Sequence, residues 1–149
     1  MISKILVPSD GSKTSQKAAA YAVSLAKQLN ASIIALSVID KRLFMGQTVP
    51  SSKTPKHLTE TVEDYLQEVA EGYLGDIKKL CEKSDVTSTL SVKVGYPVEE
   101  IVKEAKRLKA NLIVMGSRGR SALSATVLGS VSYGVIHNDK SIPVLIVRD

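Results

Sequence analysis

Aromatic residues and cysteine are scarce in this sequence of 149 residues. It has no Trp, one Phe, five Tyr and a single cysteine, Cys81. With so few rings to stack on bases, and with its lysines spread along the chain, we expect no nucleic-acid binding. One cysteine cannot close an internal disulfide, and no charged-then-apolar signal segment precedes Ile2, so we expect a cytoplasmic protein.

Long apolar runs are absent as well. No run is long enough to span a bilayer, so we expect no membrane-spanning segment and no membrane partner. Hydrophobic residues at 44% and charged residues at 23% are typical of a folded globular domain, and the length fits a single one over residues 1–149. The net charge of +5 favours anionic ligands in general without naming one.

Short apolar runs alternate with helical periodicity along the chain. The patterns predict strands near 2–7, 32–39, 86–94, 111–115 and 142–148, and helices near 13–29, 58–83, 97–108 and 129–138. Residues 40–57 lack periodicity and are predicted as an exposed loop, and the alternating Lys and Glu of residues 99–109 indicate a solvated helix face. Such alternation predicts an α/β domain, with a mainly parallel sheet and helices on both faces.

A loop rich in glycine follows the fourth predicted strand. Its spacing is G-x2-G-x9-G-S, formed by Gly116, Gly119, Gly129 and Ser130, and no Asp or Glu occurs between Gly116 and Asn138. Glycine lets backbone amides approach a ligand closely, and a helix that starts at Gly129 and Ser130 presents unpaired amides and its positive dipole end. This pattern predicts a phosphate site rather than glycines that only close a loop and cap a helix.

Other nucleotide-binding motifs are missing. The chain has no Gly-Lys dipeptide, which excludes a Walker A loop, and no G-x-G-x-x-G, which excludes the Rossmann dinucleotide fingerprint. Arg118 and Arg120 lie within the glycine loop, where they could neutralise charge at the rim of a phosphate site.

The sequence resembles the universal stress protein family, in its ATP-binding branch, through three stretches. These are ILVPSDGS at the start, the glycine loop, and PVLIVRD at the end, so the resemblance covers essentially the whole chain. It implies a Rossmann-like, adenine nucleotide alpha hydrolase-like three-layer sandwich with five parallel strands in the order 3-2-1-4-5. It also implies a homodimer that binds ATP, or ADP or AMP, at the strand ends.

The same resemblance assigns roles to individual residues. The glycine-loop residues would hold the ribose and the phosphates, Asp10 would face the ribose and adenine, and the backbone of Val38 would read adenine. The complete predicted nucleotide site comprises Pro8, Asp10, Val38, Met115, Gly116, Gly119, Arg120, Gly129, Ser130 and Val131. Asp10 and Ser130 are also the predicted ligands of a Mg²⁺ that arrives with the nucleotide. The alternative for Asp10 is an Asx turn with Ser12.

Three functions remain open at this point. The first is a nucleotide-dependent regulatory stress-response module with slow or no ATP hydrolysis, because the phosphate loop offers no acid or amide side chain to orient water. The second is an ATP-using ligase or adenylyl transferase, although neither HxGH nor SGGxDS is present. The third is a structural dimer without nucleotide. No catalytic residue is predicted, and the apolar last strand, residues 142–148, is expected to pair with its own copy in a homodimer.

Overall fold

The computed structural model describes residues 1–45, 56–118 and 128–148, and strands and helices alternate along them. The strands are β1 (Lys4–Pro8), β2 (Ser32–Asp40), β3 (Ser88–Gly95), β4 (Leu112–Gly116) and β5 (Val144–Val147). The helices are α1 (Lys13–Leu29), α2 (Arg42–Met45), α3 (Lys56–Lys83), α4 (Pro97–Arg107) and α5 (Ser130–Asn138). None of the helices in these ranges combines the length and the apolar character needed to cross a bilayer.

The five strands form one parallel sheet in the order β3-β2-β1-β4-β5. This confirms the predicted fold and strand order. The chain builds outward from β1 to β3 and then returns to the other side of β1 with β4. The strand order therefore reverses between β1 and β4, and in such sheets ligands bind beyond the carboxyl ends of the strands at this point.

Helices cover both faces of the sheet. Ile5 and Val7 of β1 pack in one buried cluster with residues of α1 and α3, whereas Leu6 between them packs in a second cluster with residues of α4 and α5. Successive strand residues point to opposite faces, so a strand covered on both sides must be apolar throughout. This explains why β1, β2 and β4 read as largely apolar runs in the sequence.

The prediction of a loop over residues 40–57 is wrong at both ends, because residues 42–45 form the short helix α2 and α3 already begins at Lys56. Asp40 holds this turn: its carboxylate accepts hydrogen bonds from the Arg42 backbone at 3.0 Å and from the Arg42 guanidinium at 2.6 Å. The guanidinium hydrogen bond holds the pKa of Asp40 below its ordinary value. A helix of four residues is too short to show a periodicity, and residues 46–55 lie outside the described ranges.

The prediction of a solvated face along α4 is wrong at Glu104, whose residue is only 2% exposed. Its carboxylate accepts hydrogen bonds from Ser91 Oγ at 2.6 Å and from the Arg107 guanidinium, and Lys93 Nζ lies 3.7 Å away. Burial alone would raise the pKa of Glu104, but these hydrogen bonds and the nearby positive charges hold it below its ordinary value. Glu104 therefore ties α4 to the edge strand β3.

Glu104→Gln is expected to lower the free energy of unfolding at neutral pH by about 1–2 kcal/mol, because the amide loses the charge that its partners face. The folded-state pKa lies below the unfolded one, so this stabilisation is present above the unfolded pKa, about 4.3, and is lost as the pH falls through the folded pKa. Urea unfolding of parent and variant at several pH values measures the difference. The difference in the free energy of unfolding should shrink toward about pH 3. Glu68→Gln, at an exposed position on α3, should have the same free energy of unfolding as the parent. A difference that does not change with pH would contradict this account.

Candidate functional site

The turn after β1 carries the predicted Asp10. Pro8 ends the strand, and Asp10 Oδ1 accepts a hydrogen bond from the Ser12 backbone amide at 2.9 Å. The Asx turn is therefore present. Asp10 is exposed, and a carboxylate has room for several hydrogen bonds, so the turn leaves it able to accept a further donor. Gly11 has a φ of +78°, a left-handed conformation that favours glycine.

Serine hydroxyls hold this turn against the start of α1. Ser12 is the N-cap of α1, and its Oγ accepts a hydrogen bond from the Ser15 amide at 3.2 Å. Ser9 Oγ lies 3.3 Å from Ser15 Oγ and accepts a hydrogen bond from the Gly11 amide at 3.2 Å. Both Ser9 and Ser15 are buried. The turn that presents Asp10 is thus held in place by the start of α1.

The end of β4 packs directly against the first turn of α1. A Cβ at Gly116 would lie 2.9 Å from both the carbonyl carbon and the carbonyl oxygen of Thr14, so only glycine allows this approach. Thr14 Oγ1 donates a hydrogen bond to the Arg118 carbonyl, and Ser132 Oγ donates one to the Gly116 carbonyl at 2.8 Å. Helices from both faces of the sheet therefore meet the chain where the glycine loop begins.

The glycine loop ends at the start of α5. Gly129 is the N-cap of this helix, and its amide donates a hydrogen bond to the Ser117 carbonyl at 2.7 Å, so the two ends of the loop lie together. The helix begins at Ser130, one residue after the predicted start at about Gly129, and has no acidic residue in its first turn. The amides of its first residues have no acceptor within the helix, and the positive end of its dipole lies at the end of β4.

The two exit turns share one edge of the sheet. β1 and β4 are neighbours, with Ile5 opposite Leu112 and Leu6 opposite Ile113, and parallel strands end at the same edge. The turn of Asp10 and the turn that follows Gly116 therefore lie side by side, at the point where the strand order reverses.

The other predicted site residues occupy different environments. Val38 lies near the end of β2 and Val131 in the first turn of α5, and both are partly buried against the cluster under α4 and α5. Met115 is 4% exposed with its side chain in the same cluster, so a ligand could reach only its backbone. Gly119 and Arg120 lie outside the described residues.

The metal prediction rests on Asp10 and Ser130, both of which are exposed. Within residues 1–45, 56–118 and 128–148, no three His, Cys, Asp or Glu side chains gather into a metal-binding group. Magnesium that arrives with a nucleotide needs only one or two protein oxygens beside the phosphates. The role of Asp10 and Ser130 as Mg²⁺ ligands therefore stays a prediction.

Sequence reasoning missed two contacts at this site, those of Thr14 and Tyr73. Thr14 meets the end of β4 as described, and the Tyr73 ring of α3 lies on Gly11: a Cβ there would be 2.7 Å from Tyr73 Cδ1 and closer still to Cε1 and Cζ. Neither residue belongs to a local motif. The available signal for the Tyr73 contact was the glycine of the D-G-S turn. A residue without a side chain leaves room for a neighbouring group to pack against its backbone.

A cavity of about 310 Å³ lies beside the same turn, between α1 and α3. Ser9, Gly11 and Tyr73 line its inner end, and the buried residues Ala19 and Ile77 form part of its wall. It is on the face of the sheet opposite α5, and none of the described residues of the glycine loop lines it. We therefore do not assign it to the phosphates.

Comparison with known proteins places this architecture in one family. The model of the universal stress protein family matches residues 1–148. A universal stress protein of Methanocaldococcus jannaschii is 37% identical over 145 residues, which cover 97% of this chain and 81% of the relative. Universal stress protein YxiE of Bacillus subtilis is 34% identical over 149 residues, which cover 99% of this chain and 100% of the relative.

Solved structures of other proteins show the same fold. That of another universal stress protein of Methanocaldococcus jannaschii superposes with a TM-score of 0.85 at 32% identity, covering 100% of this chain and 97% of that one. Two more distant structures share the fold: a universal stress protein in complex with cAMP (24% identity, TM-score 0.69) and one from Archaeoglobus fulgidus in complex with dAMP (18% identity, TM-score 0.68). The match to the cAMP complex covers 99% of this chain and 97% of that one. The match to the dAMP complex covers 99% of this chain and 98% of that one. The chain with the paired turns at β1 and β4 therefore belongs to the universal stress protein family.

Proposed function

We propose that this protein binds an adenine nucleotide at the paired exit turns of β1 and β4, with ATP as the ligand and ADP or AMP as alternatives. The observation that carries the proposal is the 2.7 Å hydrogen bond from the Gly129 amide to the Ser117 carbonyl. It holds the start of α5 at the end of β4, beside the Asp10 turn. A phosphate placed there meets the first amides of the helix and the positive end of its dipole.

The ligand would lie across the two turns. Its phosphates would contact Gly116, Ser130 and the Val131 amide, together with Gly119 and Arg120 from the loop. Its ribose would face Asp10, and its adenine the backbone of Val38, with Pro8 and Met115 lining the strand ends. The complexes with cAMP and dAMP support the proposal only in that two proteins of this fold bind an adenine nucleotide. The net charge of +5 favours an anionic ligand of this kind.

We propose slow or no intrinsic hydrolysis of the bound ATP. Hydrolysis needs an oriented water molecule and usually a residue that orients it. Asp10 is the acid in the described parts of the paired exit turns of β1 and β4, and one of its oxygens already accepts the Ser12 amide. We therefore assign no catalytic residue. A protein that binds a nucleotide without consuming it suits a regulatory role in the stress response, in which nucleotide occupancy governs binding to a protein partner.

Nucleotide titration and single-turnover kinetics test this function together. Calorimetry with ATP, ADP, AMP and GTP in the presence of Mg²⁺ should show saturable binding of an adenine nucleotide and at least about ten-fold weaker binding of GTP. Phosphate release from bound ATP should be far slower than about 1 per second, the low end for ordinary enzymes. Turnover at enzyme rates would favour the ligase or transferase alternative. Absence of binding to every nucleotide would leave the structural dimer.

We also propose a homodimer that forms through residues 142–148. β5 lies at the edge of the described sheet, with β4 as its neighbour, and each of its four residues is only partly buried. An apolar edge strand exposes backbone groups that a second copy can pair across a two-fold axis. Light scattering should give twice the mass of one chain, and the mass of a single chain would refute the dimer.

The remaining parts of the proposal concern organisation and compartment. We propose that residues 1–149 act as one domain, because the sheet and both of its helical layers span the chain from β1 to β5. The free Cys81 is buried, and burial raises the pKa of its thiol. An unreactive, reduced thiol is suited to the cytoplasm, which is where we propose that the protein acts.

A further inference from the structure

Tyr73 of α3 packs against the Asp10 turn at Gly11. The carbon atoms Cδ1, Cε1 and Cζ of its ring occupy the space that a side chain at Gly11 would fill. Gly11 stands between Asp10 and Ser12, whose hydrogen bond closes the turn at 2.9 Å. The ring therefore limits how far Gly11 can move toward α3.

The helix that carries Tyr73 is firmly anchored. The next residue, Leu74, is 2% exposed and Ile77 is 4% exposed, and both belong to the buried cluster under α1 and α3. On the other side of the turn, the Gln16 amide donates a hydrogen bond from Nε2 to the Gly11 carbonyl at 3.1 Å. Gly11 is thus held between a ring fixed by α3 and a side chain fixed by α1.

We propose that Tyr73 is a positioning residue for the nucleotide site: by holding Gly11 in its left-handed conformation, its ring keeps the Asp10 carboxylate in the geometry that receives the ribose. The inference rests on the proposed nucleotide function. Tyr73 does not touch the ligand but acts through the turn. Helix α3 becomes part of the binding site although none of its residues was predicted to belong to it.

Affinity for ATP in a set of variants tests this role. Tyr73→Ala should weaken ATP binding about ten-fold, because the turn must then be ordered at the expense of binding energy. Tyr73→Phe keeps the ring carbons on Gly11 and should therefore retain most of the affinity that Tyr73→Ala loses. The matched control is Tyr65→Ala on the same helix, since Tyr65 is 64% exposed and its removal should leave binding unchanged. If Tyr73→Ala fails to fold, Tyr73→Leu replaces it.

A double variant separates positioning from general loss of stability. In an Asp10→Ala background, Tyr73→Ala should cause no further loss of affinity, because both substitutions act through the same turn. Fully additive losses would overturn the proposal, as would ATP binding by Tyr73→Ala that equals that of the parent.

Hydrogen exchange of the Ser12 amide gives a readout that needs no nucleotide. This amide donates to Asp10 Oδ1 within the turn, so it should exchange faster in Tyr73→Ala than in the parent or in Tyr65→Ala. If the parent binds no adenine nucleotide, the proposed function fails, and this exchange alone decides the role of Tyr73. Faster exchange would still support positioning of the turn, and unchanged exchange would overturn it.

Discussion

Gly129→Val is expected to weaken ATP binding by at least about a hundred-fold, equivalent to the loss of roughly two charge-assisted hydrogen bonds. Gly129 is the N-cap of α5, where a branched side chain would stand over the first amides of the helix and keep a phosphate away. Its φ of −60° and ψ of 152° are accessible to valine, so the fold should be retained. Calorimetric titration of parent and variant with ATP measures the loss.

The control for this variant is Gly72→Val in α3. A Cβ at Gly72 would meet no atom within 4 Å, so the substitution adds the same side chain without a clash, on the face of the sheet opposite α5. It should leave ATP affinity unchanged. Equal affinity in Gly129→Val and Gly72→Val would mean that the start of α5 does not receive the phosphates.

Gly116→Ala is expected to lower the free energy of unfolding by about 2–3 kcal/mol, the cost of overpacking a close contact. The added Cβ would lie 2.9 Å from the carbonyl carbon and oxygen of Thr14, which are backbone atoms and cannot rotate away. The end of β4 would have to move away from α1, carrying with it the carbonyl of Arg118 that Thr14 now binds. Urea unfolding gives the stability, and ATP affinity should fall with it.

Gly75→Ala is expected to stabilise the protein, in contrast to Gly116→Ala. Gly75 lies inside α3, and a Cβ there would meet no atom within 4 Å. Alanine is the better helix former, so the free energy of unfolding of this variant should rise by about 0.5–1 kcal/mol. A Gly116→Ala variant as stable as the parent would contradict the close approach of β4 and α1.

Local signals in the sequence predicted much of the fold. The helix predicted over residues 13–29 is observed as Lys13–Leu29, because Ser12 caps its start and Asn30 ends it in a left-handed conformation with a φ of +55°. The alternation of strands and helices predicted a parallel sheet, and the order of its strands came from the family resemblance. The glycine loop likewise predicted a helix from about Gly129, and the helix is observed from Ser130.

Contacts between distant segments were beyond sequence reasoning. The Lys and Glu pattern of α4 indicated a solvated face, but it could not show that Glu104 meets Ser91 and Lys93 of β3. The contact of Tyr73 with Gly11 likewise depends on how α3 packs across α1. In each case the sequence marks a residue type, and tertiary packing decides what that residue touches.

The most direct measurement of the central claim is the identity of any nucleotide released when freshly purified protein is denatured, determined by mass spectrometry. The account predicts an adenine nucleotide from the parent and from Gly72→Val, and none from Gly129→Val. If the parent releases no nucleotide and also fails to bind added ATP, ADP or AMP, the paired turns of β1 and β4 are only structural, and the nucleotide function is contradicted.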